Sequence, residues 1–407
     1  MRSSLTALAL ATGATAQYSS SLLASNPGGA IPAGVQAPSS AGLSNATIQP
    51  SRGGLAVCVS GMVSVQASTT KNLKLNLDVP KNQSQVTELF VEDITSGSPF
   101  MTEIMGGMQS VNGSYEIGAT LCTPANDTKP DQVQILTHGV GFDRYYWDFA
   151  PGYSYVDVAA QYNHATFFYD RLGVGKSQKA DPLNVIQSPL EVEIANALAL
   201  KLRQGAFAGC SFKTVIGAGH SFGSIITQAI TAQYPSTLDA AILTGFSVNA
   251  TGMPPFLTGL NLAIASQNQP YRFADLNNAY LVSSSAISNQ IGFFRAPGFD
   301  PSILAQAEAQ KGTVTLGELL TTSAVMATAM NYTHPVAVVN GAEDLPFCLG
   351  NCSYPTNKAQ AVFPMLYPAT NVTGTFLGEV AGHGLNLHYS AVEAYHYIQD
   401  FVGKNVK

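Results

Sequence analysis

The hydrophobic residues follow two different patterns along the chain. From residue 55 to residue 124 they tend to alternate with polar residues, as at Leu73, Leu75 and Leu77, which predicts antiparallel strands with one solvated face. After residue 131, short continuous apolar runs alternate with longer helical stretches, as in parallel strands buried on both faces. These runs cover residues 133–137, 165–169, 214–218, 240–244, 335–339 and 374–378. The pattern predicts an α/β fold with a mostly parallel central sheet, flanking helices and N-terminal antiparallel strands.

One connection between the apolar runs is too long for a simple crossover. Residues 245–334 separate two predicted strands and are rich in aromatic and aliphatic side chains. Because ligands bind at the carboxyl ends of parallel strands, we expect an insertion at about residues 250–330 to cap those ends. An extra structural subdomain without a ligand role is the alternative interpretation.

The first residues of the chain have the features of an export signal. Arg2 is followed by a short apolar stretch and a small-residue cleavage site, which predicts a signal peptide over residues 1–16. Residues 17–54 are rich in Ser, Ala, Gly and Pro, so we expect a low-complexity arm before the domain at residues 55–407. No later run of about 20 apolar residues predicts a transmembrane segment. A frayed cytosolic N-terminus is the alternative to the signal peptide.

The composition is that of a globular protein with little charge. Of the 407 residues, 46% are hydrophobic and 11% are charged, which argues against disorder. The net charge of −6 comes with no basic stripe to neutralise a phosphate backbone, so we expect no nucleic-acid partner. No His/Cys cluster has the spacing of metal ligands, and we expect neither a metal site nor a cofactor.

Cysteines and glycosylation sequons favour a secreted, extracellular protein. Cys348 and Cys352 bracket a short loop, and Cys58 and Cys122 lie on either side of the N-terminal strand region. Outside the cell these four residues are expected to form two disulfides, with Cys210 buried apart from them. Glycosylation requires the secretory route. Eight Asn-x-Ser/Thr sequons predict it, at Asn45, Asn82, Asn112, Asn126, Asn249, Asn331, Asn351 and Asn371.

The candidate nucleophile lies in residues 214–223, where an apolar strand runs into the turn Gly-His-Ser-Phe-Gly and a helix pattern follows. Ser221 takes the apex of this elbow, and Gly219 and Gly223 leave room for closely approaching backbone. The turn exposes the hydroxyl at the positive end of the helix, where a developing oxyanion is favoured. The five-residue pattern alone is a weak signal in a chain rich in Gly and Ser, and a Gly-rich turn is the alternative.

Two loops around the elbow complete the expected site. Residues 137–142 read Thr-His-Gly-Val-Gly-Phe at the end of the first parallel strand, and the glycines let this loop turn its amides toward a bound carbonyl. The N–H groups of Val140 and Phe222 are therefore the expected pair of oxyanion donors. His138 is expected to hold the loop by hydrogen bonds, and His220 to be a packed neighbour of the nucleophile.

Residues 169–177 contain two glycines before a Lys-Ser pair, yet they lack the longer glycine spacing of a phosphate-binding loop. We expect a structural turn here, held by Asp170 and Arg171.

A serine nucleophile needs a base within hydrogen-bond reach and an acid that orients the base. His383 lies between two glycines in the loop after the last predicted strand and is the predicted base, with His388 as its nearest competitor. Asp344 follows the strand at residues 335–339 and is the predicted acid. Its neighbour Glu343 is the alternative.

These residues resemble the α/β-hydrolase superfamily, specifically its AB hydrolase-1 type. The order Ser221, Asp344, His383 on successive strand ends carries the resemblance, together with the motifs at residues 138–139, 169–175 and 219–223. Residues 136–148 resemble a group of secreted or gene-cluster serine hydrolases of filamentous fungi. The resemblance implies that these three residues are nucleophile, acid and base, with Val140 and Phe222 in the oxyanion hole.

One departure from the superfamily bears on the substrate. Only one glycine directly follows His138, whereas carboxylesterase-like members have three, so esters of bulky tertiary alcohols are not expected.

The predicted function is a secreted serine hydrolase that cleaves small-molecule or lipid-like carboxylic esters through an acyl-enzyme. Serine at the elbow excludes the Asp nucleophile that dehalogenases and epoxide hydrolases of this fold use. An aminopeptidase of the same fold would need acids in the cap, where only Asp275, Asp300, Glu308 and Glu318 occur. This aminopeptidase, a tailoring hydrolase of a fungal natural-product pathway and a catalytically inactive binding protein are the three competing hypotheses.

Overall fold

The computed structural model describes residues 31, 35–127 and 130–406. The predicted signal peptide at residues 1–16 lies outside these ranges, and so do residues 17–30 and 32–34 of the predicted arm. The end of that arm forms strand β1 (Ser44–Pro50), which pairs antiparallel with β2 (Ala56–Leu75). This part of the arm therefore belongs to the edge of the central sheet.

Alternating strands and helices make up the rest of the described chain. The remaining strands are β3 (Met105–Pro124), β4 (Gln132–Thr137), β5 (Ala165–Tyr169), β6 (Thr214–His220), β7 (Ala240–Thr244), β8 (Ala263–Ile264), β9 (Tyr280–Val282), β10 (Val314–Thr315), β11 (Val336–Gly341) and β12 (Thr373–Gly378). The helices are α1 (Gln83–Ile94), α2 (Phe100–Ile104), α3 (Tyr155–Gln161), α4 (Ser188–Arg203), α5 (Phe222–Gln233), α6 (Met253–Leu260), α7 (Ala265–Asn268), α8 (Pro270–Phe273), α9 (Ala286–Phe293), α10 (Pro301–Gln310), α11 (Leu316–Thr321), α12 (Leu345–Cys348), α13 (Val362–Leu366) and α14 (Ala391–Asn405). Short 3-10 helices occur at Arg144–Tyr146, Thr322–Val325 and Leu385–Leu387.

In the described residues the central sheet has nine strands in the order β1-β2-β3-β5-β4-β6-β7-β11-β12. The first three are antiparallel, and all pairs from β5 to β12 are parallel. Every residue of β5, β6, β7 and β11 is buried, as expected for strands with helices on both faces. The predicted fold class is confirmed, and all six predicted parallel strands are present.

The long connection at residues 245–334 contains helices α6 to α11 and a small antiparallel sheet with the order β10-β9-β8. Helix α6 packs against α9 and against α12, the helix that directly follows β11. Phe256 of α6 and Phe293 of α9 both contact the ring of His383. The insertion therefore lies beside the carboxyl ends of the parallel strands.

Disulfides join both predicted cysteine pairs. Cys58 and Cys122 face each other in the register of β2 and β3, and Cys348 and Cys352 close the loop after α12. Cys210 is buried. Seven of the eight sequon asparagines are exposed, and Asn249 is partly exposed.

Among the described residues, no helix is both long and apolar enough to cross a membrane.

Candidate active site

Ser221 lies in a strained turn between β6 and α5. Its backbone has φ 55° and ψ −116°, a left-handed conformation that a residue with a side chain rarely adopts. The turn is too tight for side chains at its flanks. A Cβ on Gly219 would lie 2.2 Å from the carbonyl oxygen of Gly223, and a Cβ on Gly223 would lie 2.0 Å from that of Thr137. The two glycines are therefore a steric requirement of the elbow.

The structure brings the three predicted residues into one hydrogen-bonded series. The Nε2 atom of His383 is 2.7 Å from the Oγ atom of Ser221, and its Nδ1 atom is 2.6 Å from the Oδ2 atom of Asp344. Only 7% of Ser221 is exposed, and His383 and Asp344 are fully buried. Because a carboxylate only accepts hydrogen bonds, Nδ1–H donates to Asp344, which leaves Nε2 to accept the hydroxyl proton of Ser221.

Asp344, and not its neighbour Glu343, faces the imidazole. The Oδ1 atom of Asp344 accepts a hydrogen bond of 2.9 Å from the N–H of Phe347 at the start of α12. This bond fixes the carboxylate while its other oxygen accepts from His383. The carboxylate of Glu343 instead forms an ion pair with Arg295, and its side chain is 28% exposed. Of the two adjacent acids, only Asp344 is within hydrogen-bond reach of the base.

His388, the competing imidazole, already uses both ring nitrogens to hold loops. Its Nε2 atom accepts from the N–H of Arg295 at 2.9 Å and of Gly382 at 3.1 Å, and its Nδ1–H donates to the carbonyl of Gly384. Burial lowers the pKa of His388 to about 4, so the ring is neutral near pH 7. It positions the loop that carries His383.

The segments that carry the two expected oxyanion donors both adjoin Ser221. Phe222 is the first residue of α5, and the first N–H groups of a helix have no partner within it. Val140 follows Gly139, whose Cα packs against the nucleophile, since a Cβ at position 139 would lie 2.9 Å from the Cβ of Ser221. A side chain on Gly139 would therefore displace the loop that presents the Val140 amide.

His138 and Arg171 hold that loop from behind. The Nδ1–H of His138 donates to the carbonyl of Gly139 at 2.8 Å, and its Nε2 atom accepts from the N–H of Arg171. Burial, reinforced by the Arg171 charge, holds the pKa of His138 well below its usual value. The Arg171 guanidinium lies 4.6 Å from the ring centre of Phe222 and forms a buried ion pair with Glu318 of α11. One arginine thus links both oxyanion segments to the insertion.

Asp170 fixes the turn at residues 169–177, as predicted. Its Oδ1 atom accepts from the N–H of Arg144, while Oδ2 accepts from the guanidinium of Arg144 and the N–H of Lys176. The Asp170 carboxylate therefore closes the turn from within, which is the structural role expected for it.

His220 is a packed neighbour of the nucleophile. The hydroxyl of Thr244 donates its one proton to the carbonyl of Gly219. Its oxygen can therefore only accept from His220, whose Nδ1–H donates to it at 3.1 Å. The ring stacks on Tyr146 with 4.4 Å between centroids. Burial and the adjacent His383 hold the pKa of His220 well below its usual value.

An aromatic shell that was not predicted from the sequence surrounds His383. Three phenylalanine rings have centroids 5.5–6.0 Å from that of His383, and a fourth packs on one of these three. They come from separate segments, so no local motif reveals them. The four residues are Phe256, Phe347, Phe293 and Phe142. They give the imidazole an apolar surrounding, in which electrostatic interactions are stronger than in water.

No metal site accompanies this arrangement within residues 31, 35–127 and 130–406, where no group of three or more His, Cys, Asp or Glu side chains is placed to hold an ion.

A mostly parallel sheet with a serine on a strand-to-helix elbow defines an α/β hydrolase. The sequence profile of the Alpha/beta hydrolase family matches residues 134–394, more than half of the 407 residues. The chain therefore belongs to this family.

Several solved structures are similar to this chain. An esterase from Thermogutta terrifontis with malate bound is 13% identical over 71% of this chain and 94% of its own, with a TM-score of 0.48. The alpha/beta hydrolase GrgF from Penicillium sp. sh18 is 14% identical over 72% and 95%, with a TM-score of 0.48. A monoacylglycerol lipase from Paleococcus ferrophilus is 12% identical over 68% and 96%, with a TM-score of 0.48. Among curated proteins, none matches the sequence significantly.

Proposed function

We propose that this hydrolase is a secreted serine esterase that cleaves small-molecule or lipid-like carboxylic esters through a Ser221–His383–Asp344 triad. The observation that carries the proposal is the continuous hydrogen-bonded series from the Ser221 hydroxyl through the imidazole to the Asp344 carboxylate, at 2.7 and 2.6 Å. A hydroxyl activated by a neighbouring base, itself oriented by an acid, is the arrangement that nucleophilic catalysis requires.

The reaction follows from these contacts. The Oγ atom of Ser221 attacks the acyl carbon while Nε2 of His383 takes the hydroxyl proton. Asp344 holds the ring and stabilises its positive charge. The imidazolium then gives the proton to the leaving alkoxide, so the alcohol departs and the acyl group stays on Ser221. Water, deprotonated by the same imidazole, attacks the ester of the acyl-enzyme. The imidazolium returns this proton to the Oγ atom of Ser221 as the bond between Oγ and the acyl carbon breaks, and the carboxylic acid leaves.

The amides of Val140 and Phe222 hold the oxyanion of both tetrahedral intermediates. The loss of one such donor typically costs about 3 kcal/mol of transition-state stabilisation. The place of Phe222 at the start of α5, where an N–H has no partner within the helix, and the Gly139 backbone packed on Ser221 support these two roles.

The apolar lining supports an ester with an apolar acyl or alcohol part. The four phenylalanines around His383 leave few polar partners for a charged substrate, and two of them come from the insertion. We therefore include in the proposal that residues 250–330 act as a cap whose helices α6 and α9 form the substrate-facing wall.

The acidic residues of the insertion give little support to the aminopeptidase alternative, which needs a carboxylate to hold the substrate ammonium. Glu308 is paired with Lys311 and Asn289, and Glu318 is paired with Arg171. Asp300 accepts from a backbone N–H at the start of α10, and Asp275 is exposed.

The proposal that the protein is secreted rests on the signal-like first residues together with two disulfides and accessible sequons. A narrower proposal is that the protein resembles secreted or gene-cluster hydrolases of filamentous fungi. This proposal rests on the sequence of residues 136–148.

Purified protein, reacted with a fluorophosphonate probe and assayed on two substrate series, tests the function. One series consists of p-nitrophenyl esters of increasing acyl length, and the other of aminoacyl-nitroanilides. We expect the probe to label Ser221, esters to be cleaved and anilides to resist. The variant Ser221→Ala, which keeps the fold, is expected to lose both labelling and turnover.

Each contrary outcome points to a different function. Faster cleavage of the anilides indicates the aminopeptidase. Failure of the probe to label folded protein indicates a binding protein, and turnover by Ser221→Ala places the nucleophile elsewhere.

A further inference from the structure

A cavity away from the candidate active site has a volume of about 460 Å³. None of Ser221, Asp344 and His383 lines it. Its wall includes Asp143 and Arg144, which come just after the loop that carries Val140. The volume is within the range of small-molecule sites, roughly 300–1,000 Å³.

The side chains around this cavity are unusually basic for a chain with a net charge of −6. The wall carries four cationic side chains and two carboxylates, an excess of two positive charges: Arg52, Arg144, Lys176 and Arg272 against Asp143 and Asp170. Burial, followed by the nearby Asp170 charge, raises the pKa of Asp143 to about 6. Protonation of Asp143 in mildly acidic solution therefore increases the positive excess.

Three of the four cations form no direct ion pair within the described parts of the chain. Arg144 pairs with Asp170, whereas Arg52, Lys176 and Arg272 form no ion pair there. The Arg272 guanidinium donates to backbone carbonyls and to a glutamine side chain, all of them neutral acceptors.

Arg144 also has unused hydrogen-bonding capacity. Only 6% of this residue is exposed, and its Nε atom has no hydrogen-bond partner in the described residues. A buried donor without a partner is rare in folded proteins. An anion bound in the cavity would supply negative charge to the four cationic side chains of the wall.

Aromatic rings complete the wall. The guanidinium carbons of Arg52 and Arg144 lie 5.5 and 4.9 Å from the ring centre of Tyr145, and Tyr271 and Phe273 also line the cavity. We propose that this cavity is a binding site for a small aromatic anion, in which the arginines take a carboxylate or phosphate group and the rings contact its aromatic body. Arginine suits this role because its planar donors match both oxyanions.

The test measures binding to the full-length mature protein by calorimetry and by the fluorescence of Trp147, the one tryptophan in the chain. Trp147 is buried three residues after Arg144. The probes are benzoate and phenyl phosphate, with neutral benzamide as their uncharged match. The variant is Lys176→Gln combined with Arg272→Gln, and the matched control is Lys213→Gln, an exposed lysine outside the cavity.

We expect at least one anionic probe to bind, and whichever binds more tightly identifies the carboxylate or the phosphate as the preferred group. Binding should weaken about tenfold or more in the double variant, weaken with added salt and stay unchanged in Lys213→Gln. The proposal is overturned if neither anion binds at about 10 mM, if benzamide binds as well as benzoate, or if the folded double variant binds like the unaltered protein.

Discussion

Replacement of Asp344 by asparagine tests the candidate triad most directly, because the side chain keeps its size while one oxygen becomes a donor. In the structure Oδ1 accepts from the N–H of Phe347 and Oδ2 accepts from Nδ1–H of His383. An asparagine that keeps its oxygen on Phe347 turns its NH₂ group toward Nδ1. The imidazole proton must then move to Nε2, which can no longer accept the proton of Ser221.

In the opposite orientation the asparagine oxygen accepts from Nδ1–H of His383, so the imidazole keeps its productive tautomer. The asparagine NH₂ group then faces the N–H of Phe347, and neither of these two donors has an acceptor. A buried donor left unpaired costs about 1–3 kcal/mol, so the unproductive orientation is favoured by about 5- to 150-fold. The imidazolium also loses the negative charge beside it. In serine hydrolases the wrong tautomer lowers kcat about 10⁴-fold, or about 5.5 kcal/mol. We expect a loss of this order for Asp344→Asn.

The assay compares kcat on a p-nitrophenyl ester for the unaltered protein, Asp344→Asn and the matched control Glu343→Gln, with thermal unfolding to check that each is folded. Glu343→Gln removes a partly exposed ion pair with Arg295, which contributes about 0–1 kcal/mol, so its kcat should change little. A folded Asp344→Asn protein within tenfold of the unaltered kcat refutes the reasoning. If Glu343→Gln lowers kcat more than Asp344→Asn does, the acid of the triad is Glu343 and not Asp344.

Three further predictions concern the elements around the triad. In Gly139→Ala the new Cβ meets Ser221 and shifts the loop, so we expect kcat to fall about 10²- to 10³-fold without unfolding; an unchanged kcat argues against the Val140 donor. Glu318→Gln breaks the buried pair with Arg171 and should lower the free energy of unfolding in urea by about 3 kcal/mol or more; a change under about 1 kcal/mol contradicts this. Since the pKa of His388 is about 4 when folded and about 6.5 when unfolded, the unfolded chain takes up this proton first, and the contribution of His388 to stability should fall from pH 6.5 to 4 by up to about 3 kcal/mol. Urea unfolding across this range, with a smaller slope expected for His388→Gln, checks the last prediction.

The three hydrogen-bonded residues of the candidate site could be selected from the sequence because each is the polar residue of a short local pattern at a strand end. Ser221 follows a fully buried strand and precedes a helix, so its position is readable within ten residues. Asp344 and His383 likewise come directly after β11 and β12. Parallel strands place all their carboxyl ends at one edge of the sheet, so three local patterns were enough to predict one site.

The surroundings of the site could not be predicted in the same way. The phenylalanines that contact His383 come from two insertion helices and α12, and a fourth, from the loop after the first parallel strand, packs on one of them. Their meeting depends on how the insertion packs. The ion pair between Arg171 and Glu318 spans 147 positions in the sequence. The end of the predicted arm is a further example, because β1 has little apolar content and is a strand only through its pairing with β2.

The proposal that His383 is the base is supported by the hydrogen bonds and the charge state of the three neighbouring histidines. His138 and His388 each use both ring nitrogens in hydrogen bonds to backbone groups. His220 donates from Nδ1 to a threonine hydroxyl and stacks on a tyrosine. Burial lowers the pKa of all three, so each stays neutral and none adds positive charge beside the base. An additional imidazolium here would oppose the positive charge that His383 gains in the transition state, and three neutral histidines avoid that repulsion while holding the loops in place.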